Sequence, residues 1–184
     1  MRQLLKLHPG SRCLAPTRIE VGIERPHVNN LVLSYVMTGK ISDILMPPVL
    51  EAARRDELWR HTCFEAFLRA SSAPDYYEFN FAPSTQWAAY RFSGYRNAMR
   101  AANEVDSLPI EFGFDRDHYT LQASLDLDCL SGLSRAAPWR LGLSALIEDT
   151  SGCRSYWALS HPPGEPDFHH ADNFAIELLP AVQP

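Results

Sequence analysis

Eight side chains between residues 59 and 96 have the chemistry to bind a small polar ligand. They are Trp59, His61, Glu65, Glu78, Asn80, Trp87, Arg91 and Arg96. The stretch from residue 58 to residue 96 also holds eleven of the chain's twenty aromatic residues, so it must be largely buried. Buried charge is costly unless it is paired or given a ligand. The sequence therefore predicts that these polar groups bind one another or a ligand.

A sugar suits this mixture of side chains. Tryptophan rings offer an apolar platform for the CH face of a sugar, and polar groups beside them fix its hydroxyls. In this interpretation Glu65, Glu78 and Asn80 share hydroxyl hydrogen bonds, while arginines hold the carboxylates ionised. The alternative is a structural charge network without a ligand, in which each tryptophan simply packs in the core.

Two hypotheses in which residues 58–96 form the active site of an enzyme remain as alternatives. Glu65 and Glu78 are expected on adjacent strands, and two-carboxylate glycosidases need carboxyl groups about 5–9.5 Å apart. Neutralisation by Arg69 or Arg91 is the competing interpretation of these glutamates. His61 and Cys63 would share a face of a strand, about 7 Å apart, as a thiol enzyme requires. Buried cysteine is nevertheless the commoner outcome, and we favour a non-catalytic protein.

The segment from residue 160 to residue 170, SHPPGEPDFHH, concentrates potential metal ligands. His161, Asp167 and His169 offer nitrogen and oxygen atoms to a divalent metal such as zinc. The alternative is a stiff proline-rich loop whose histidines make hydrogen bonds. Haem is a further alternative, although the sequence has no CxxCH attachment motif. The sequence predicts no cofactor firmly and leaves a metal or haem open.

Short alternating segments separated by turn residues must position all of these groups. A three-stranded meander is predicted from strands at residues 62–69, 76–81 and 86–92. Further strands are expected at residues 3–8, 17–25, 31–37, 41–46, 110–114, 118–127, 139–148, 154–159 and 174–179. Residues 49–57 suit one or two helical turns, and residues 93–106 a loop or short helix. About ten strands with little helix predict an all-β, antiparallel β-sandwich, jelly-roll-like, formed by residues 1–184 as a single domain.

Composition excludes several classes of partner. The chain has 184 residues and a net charge of −5, and no basic patch suggests nucleic-acid binding. No run approaches the roughly 18 apolar residues of a membrane span. The opening apolar run is broken by Lys6, which is not a convincing secretory signal, so the cytoplasm is expected. Four separated cysteines without a CxxC pair agree with reduced thiols there. The expected partner is a small molecule, and the oligomeric state stays open.

Three segments carry a resemblance to a known family. LWRHTCFEAFL from residue 58, YYEFNFAPSTQWAAYRF from residue 76 and HPPGEPDFH from residue 161 resemble DOMON-like β-sandwich domains related to family 9 carbohydrate-binding modules. Those modules pair a strand like the one from Trp59 to Phe67 with a Tyr-Tyr-Glu strand and an Asn-Phe-x-Pro turn. The second strand and the turn correspond here to Tyr76, Tyr77, Glu78, Asn80, Phe81 and Pro83. The resemblance implies a sandwich that binds a small ligand, commonly a sugar and in some relatives haem, and it does not imply catalysis.

Overall fold

Apolar side chains on alternate strand positions build one hydrophobic layer between two antiparallel β-sheets. The computed structural model describes residues 1–13, 15–134 and 137–180. Within them the strands are β1 (Arg2–Leu4), β2 (Lys6–Leu7), β3 (Pro16–His27), β4 (Asn30–Gly39), β5 (Cys63–Ala70), β6 (Tyr76–Phe81), β7 (Trp87–Phe92), β8 (Arg100–Ala101), β9 (Ile110–Phe114), β10 (His118–Asp126), β11 (Trp139–Glu148), β12 (Arg154–Ala158) and β13 (Ile176–Leu178). The prediction of an all-β antiparallel sandwich is confirmed.

The two sheets differ in size and in what covers them. The smaller sheet has the order β1-β3-β4-β10-β9, and the larger has the order β2-β12-β11-β5-β6-β7-β8, with β13 also paired to β11. Strand β10 buries every second residue and leaves the residues between them exposed or half-buried, in line with the predicted alternation. The central strands of the larger sheet are instead buried on both faces. The outer face of the larger sheet must therefore carry a second covering layer.

The predicted meander is present as β5, β6 and β7, and its register fixes the polar side chains. Glu65 lies opposite Asn80, and Phe67 lies opposite Glu78. Because side chains alternate between the faces of a strand, these four residues share the outer face of the sheet. Glu65 and Glu78 are diagonal neighbours across the two strands, a relation that brings long side chains within reach of each other.

The sequence prediction was wrong in two connecting segments. Residues 49–57 form no helical turn: they run along β7, where Arg54 bridges to Trp87. The Arg54 guanidinium stacks on the Trp87 ring at 4.4 Å and donates hydrogen bonds to backbone carbonyls, including that of Ala102. Residues 41–46 form a 3-10 turn at Ile41–Asp43 instead of a strand. No helix in the described ranges has the length and apolarity to cross a membrane.

Gly39 at the end of β4 is a position where only glycine fits. Its φ is +147°, and an added Cβ would lie 2.3 Å from the Ala15 carbonyl oxygen. We expect Gly39→Ala to lower the free energy of unfolding by about 1–3 kcal/mol, measured by urea denaturation, because steric overlap and backbone strain add. Gly152→Ala is the matched control, since φ there is +81° but a Cβ meets nothing within 4 Å. Equal losses in the two variants would contradict the role of the close contact.

Candidate ligand-binding cavity

A cavity of about 370 Å³ opens on the outer face of the larger sheet. Strands β5, β6, β11 and β12 supply its floor. The 3-10 turn Leu58–Arg60, the loop after β7 and the loop after β12 form its walls and rim. The lining residues are Trp59, Glu65, Glu78, Phe92, Arg96, Met99, Leu146, Tyr156, Pro166, Phe168 and His169.

A second apolar cluster, separate from the core between the sheets, holds the walls of the cavity in place. It contains Phe67, Tyr76, Ala88, Tyr90, Phe92 and Phe174, with Leu58, Trp59 and Phe168 packed against it. The Tyr76 and Phe92 rings stack with their centroids 4.7 Å apart, and Trp59 meets Tyr90 edge to face at 5.5 Å. Burial of these rings stabilises the loops that cover the sheet, and it leaves an aromatic-walled cavity between them.

Two nearly buried carboxyl groups lie on the floor. Glu65 is 3% exposed and Glu78 is 5% exposed. Ser144 Oγ donates a hydrogen bond of 3.3 Å to Glu65 Oε2, and Asn80 Nδ2 donates one of 2.7 Å to Glu78 Oε1. The Cys63 thiol in turn donates to Asn80 Oδ1 at 3.4 Å. Within the described residues, each carboxyl group therefore has one oxygen held by a neutral donor, and its other oxygen accepts no hydrogen bond.

Burial makes these carboxyl groups weak acids. It raises the pKa of Glu65 well above the usual range, and the charge of Glu78 raises it further. Burial also raises the pKa of Glu78 to about 7, against the lowering effects of the Asn80 hydrogen bond and the Arg96 charge. Near neutral pH the floor thus offers both hydrogen-bond donors and acceptors. Arg96 favours the ionised form of both carboxyl groups, as the sequence led us to expect of an arginine, but burial outweighs it and the pKa of each is raised.

His169 closes one side of the cavity as a neutral ring. Burial and the nearby Arg96 charge lower its pKa to about 4. The Tyr76 hydroxyl accepts the Arg96 backbone N–H at 3.2 Å and lies 2.8 Å from His169 Nδ1. The Tyr76 proton is then free to be donated to Nδ1, which assigns the ring proton to Nε2. That nitrogen faces Glu78 Oε2 at 3.7 Å, too far for a direct hydrogen bond.

The rim is fixed by Arg96 and Asp167. Arg96 has a φ of +50°, and this left-handed backbone is uncommon for a residue with a side chain. Its guanidinium donates two hydrogen bonds to Asp167 Oδ1, at 2.7 Å and 3.2 Å. Asp167 also accepts hydrogen bonds from the Tyr95 hydroxyl and the His169 backbone N–H. These contacts join the loop after β7 to the loop after β12 across the cavity mouth.

The structure brings five of the eight sequence-predicted ligand-binding residues together. Trp59, Glu65, Glu78 and Arg96 line the cavity, and Asn80 lies beside Glu78 with no exposed surface. Their part in binding stays a prediction. His61 lies apart from the cavity: its Nδ1 is 2.7 Å from Glu148 Oε2, and its side chain is largely exposed.

Trp87 and Arg91 lie on the opposite face of the sheet. Trp87 is part of the core between the sheets and packs against Arg54. Arg91 lies opposite Tyr77, stacks on its ring and forms an ion pair with Asp75 at 3.1 Å. Glu65 and Glu78 have no arginine within ion-pair distance among the described residues, which removes the proposed neutralisation by Arg69 or Arg91. The Arg69 guanidinium lies instead over the Phe174 ring.

The predicted metal ligands do not converge. His161 Nε2 contacts the Lys6 carbonyl oxygen at 2.8 Å, and the ring packs edge to face on His8. Asp167 is engaged by Arg96, and His169 by Tyr76. In residues 1–13, 15–134 and 137–180, no group of three or more His, Cys, Asp or Glu side chains could hold a metal ion. The loop serves as a wall of the cavity.

Cys63 does not have the surroundings of a catalytic thiol. Burial, followed by the charges of Glu65 and Glu78, raises the pKa of Cys63 well above its ordinary value. The thiolate is the nucleophile in thiol chemistry, and this environment disfavours it. His61 also belongs to the end of the 3-10 turn instead of the strand, and it bonds Glu148. The sequence spacing that suggested a thiol–imidazole pair was therefore misleading.

Sequence reasoning missed most of the apolar lining. Five apolar residues that line the cavity were not predicted to do so: Phe92, Met99, Leu146, Pro166 and Phe168. A signal existed in β11, where Leu141, Leu143 and Ala145 mark the inner face. Leu146 falls on the opposite face, so an apolar residue there already indicated a covered surface.

Comparison with known proteins identifies the fold. No family model matches the chain, and no curated protein matches it. Among solved structures, the chain is similar to a Bacteroides uniformis protein proposed to bind carbohydrate, with a TM-score of 0.67 and 10% identity over 94% of this chain and 83% of the other. It is also similar to a family 9 carbohydrate-binding module from Caldicellulosiruptor kristjanssonii in complex with cellotriose. That match has a TM-score of 0.52 and 13% identity over 89% of this chain and 74% of the other. The chain therefore shares its sandwich fold with these proteins.

Proposed function

We propose that this protein is a single, non-catalytic module that binds a carbohydrate in the cavity on the larger sheet. One observation carries the proposal: aromatic walls and two buried carboxyl groups with available oxygens face the same space of about 370 Å³. That volume lies within the roughly 300–1,000 Å³ of typical ligand pockets. The shared fold with a module that is described in complex with cellotriose supports the same conclusion.

The walls of the cavity would stack on the sugar, and its floor would form hydrogen bonds with it. Trp59, Phe92 and Phe168 present ring surfaces to the apolar face of a sugar. Burial raises the pKa of Glu65, which favours its protonated form as a hydrogen-bond donor to a hydroxyl, and the remaining carboxyl oxygens accept hydrogen bonds. The Arg96–Asp167 ion pair already holds the rim in place in the free protein. Ligand binding therefore does not have to order these side chains, which would cost conformational entropy.

The placement of the carboxyl groups argues against glycoside hydrolysis. Hydrolases of that kind place two carboxyl groups on either side of the scissile bond, and one of them must be ionised. Glu65 and Glu78 come from neighbouring strands of one floor, so a sugar lying on the floor has both on the same side. Burial raises the pKa of each, which disfavours the ionised nucleophile or base.

Titration calorimetry against mono- and oligosaccharides tests the proposal, and Trp59→Ala is its most informative variant. We expect this change to weaken saccharide binding by roughly 10- to 30-fold, because a stacking wall with about 1.5–2 kcal/mol of contact is lost. Phe114→Ala is the control: Phe114 is also aromatic, is 73% exposed and lies on β9 of the other sheet. Saccharide binding that is unchanged in a folded Trp59→Ala protein, or release of hydrolysis products by the wild type, would count against the proposal.

A further inference from the structure

In the described part of the chain, no lysine or arginine lies within ion-pair distance of the two glutamates on the cavity floor. The free oxygens are Glu65 Oε1, which accepts no hydrogen bond from the residues described, and Glu78 Oε2, whose nearest cationic candidate is His169 Nε2 at 3.7 Å. Both side chains are more than nine-tenths buried. Two acids so deeply buried with neutral hydrogen-bond donors alone are costly to ionise.

The other charged groups around the cavity are already matched. Arg96 is the cation on the rim, and Asp167 binds it through two hydrogen bonds. Glu148, which follows Leu146 on the same face of β11, is paired with His61 and lies 3.9 Å from Arg154. His169 is uncharged near neutral pH because burial and Arg96 lower its pKa. Among the described residues, the acids near the cavity without a lysine or arginine in ion-pair distance are therefore Glu65 and Glu78, and the charge that either takes on when it ionises is negative.

We propose that the saccharide bound here carries a protonated amine, and that its ammonium group binds between Glu65 and Glu78. This inference rests on the proposed function and names the class of sugar. An ammonium group has three N–H donors and no acceptor, which matches two carboxyl groups with free oxygens. Trp59, Phe92 and Phe168 line the same cavity, and an ammonium group that lies over the face of an aromatic ring is attracted to it.

Binding of an ammonium group also changes the protonation of the two glutamates on the floor of the cavity. At pH 6.5, which is below the pKa of about 7 for Glu78, that group is mostly protonated, and burial raises the pKa of Glu65 as well. A charge-assisted hydrogen bond needs a carboxylate, so amine binding ionises one of them and releases about one proton to the buffer. A neutral sugar that accepts and donates ordinary hydrogen bonds releases none.

Two matched ligand pairs test the inference by calorimetry on the full chain. Glucosamine is compared with glucose, and cyclohexylamine with cyclohexanol, each in two buffers of different ionisation enthalpy at pH 6.5. We expect each amine to bind about tenfold or more tightly than its hydroxyl partner, with proton release for the amines only. Glu78→Gln and Glu65→Gln should each reduce this preference to about threefold or less. Glu111→Gln, an exposed acid on β9, should leave it unchanged.

The outcomes separate this inference from the proposed function. Equal affinities for glucosamine and glucose, with no proton release, would overturn the amine site and leave a neutral-sugar module standing. Binding of cyclohexylamine without binding of either sugar would overturn the sugar function and keep the cation site. Failure of all four ligands to bind would overturn both. A preference that survives both glutamine substitutions would place the cation elsewhere and contradict the inference.

Discussion

Phe67→Ala is expected to lower the free energy of unfolding by about 3–5 kcal/mol and to abolish saccharide binding. Phe67 has no exposed surface and lies at the centre of the apolar cluster on the outer face, opposite Glu78 in the neighbouring strand. Its ring contacts those of Tyr76, His169 and Phe174 at centroid distances of 5.2–6.4 Å. A cavity at this position would let the His169 wall move relative to the floor. Urea denaturation and calorimetry measure the two effects.

Leu33→Ala is the matched control for this prediction. Leu33 is equally buried but belongs to β4 of the smaller sheet, on the far side of the central core. We expect this variant to lose about 2–5 kcal/mol of unfolding free energy. At a temperature where the variant is folded, its saccharide affinity should stay within threefold of that of the wild type. If both variants lost binding in proportion to stability, the outer cluster would have no special role in forming the cavity.

Glu78→Gln is expected to stabilise the protein at pH 8 by about 2–3 kcal/mol. The folded-state pKa of Glu78 is about 7, above its ordinary value of 4.5, so the folded state holds the proton more tightly than the unfolded state. This contribution to stability is complete below pH 4.5 and is lost as pH rises through 7. Each pKa unit corresponds to about 1.4 kcal/mol, and glutamine has no proton to lose. The Glu78 charge raises the pKa of Glu65, so its removal makes Glu65 less costly to ionise. This second effect also stabilises the variant at pH 8.

Chemical denaturation at pH 5 and pH 8 measures this effect. The variant and the wild type should differ little at pH 5 and clearly at pH 8. His169 acts in the opposite sense, since its lowered pKa makes stability fall as pH drops from 6.5 to 4, but both proteins contain it. Glu111→Gln supplies an exposed acid as the control. A wild type whose stability does not fall between pH 5 and pH 8 relative to Glu78→Gln would show that Glu78 is not a weak acid in the folded protein.

A stabilising substitution at a buried acid would itself be informative. Proteins keep such costly groups where binding or catalysis uses them, and stability is commonly lower at functional sites. If Glu78→Gln gains stability and loses ligand, the carboxyl group is retained for binding. A purely structural charge network would instead lose stability when one of its members is replaced.

Much of the fold could be predicted from the sequence because the turn residues, and the alternation of apolar and polar residues along the strands, were clear. The meander at β5, β6 and β7 was expected almost to the residue, and so was the inward face of β11. The placement of Glu65 beside Asn80 depended on the hairpin register, which side-chain pattern alone did not fix. Once the register is known, the two glutamates and Asn80 share one face.

The remaining errors have a common physical cause. Strand β7 is buried on both faces, so its sequence gives no contrast between wet and dry positions, and Trp87 and Arg91 were assigned to the wrong side. Residues 49–57 contain good helix formers, yet the Arg54 guanidinium binds backbone carbonyls near β7 and keeps the segment extended. Long-range contacts of this kind override local propensity. The walls of the cavity come from three segments that are far apart in the sequence, and no local sequence pattern joins them.

The most direct test of the account is a crystal structure of the protein with a saccharide bound at a concentration that saturates it in solution. We predict a sugar ring against Trp59, with at least one of its polar groups within hydrogen-bond distance of Glu78 and another near Glu65. A saccharide bound on the opposite face, near Trp87 and Arg91, would contradict the account. So would an empty cavity in a crystal grown under those saturating conditions.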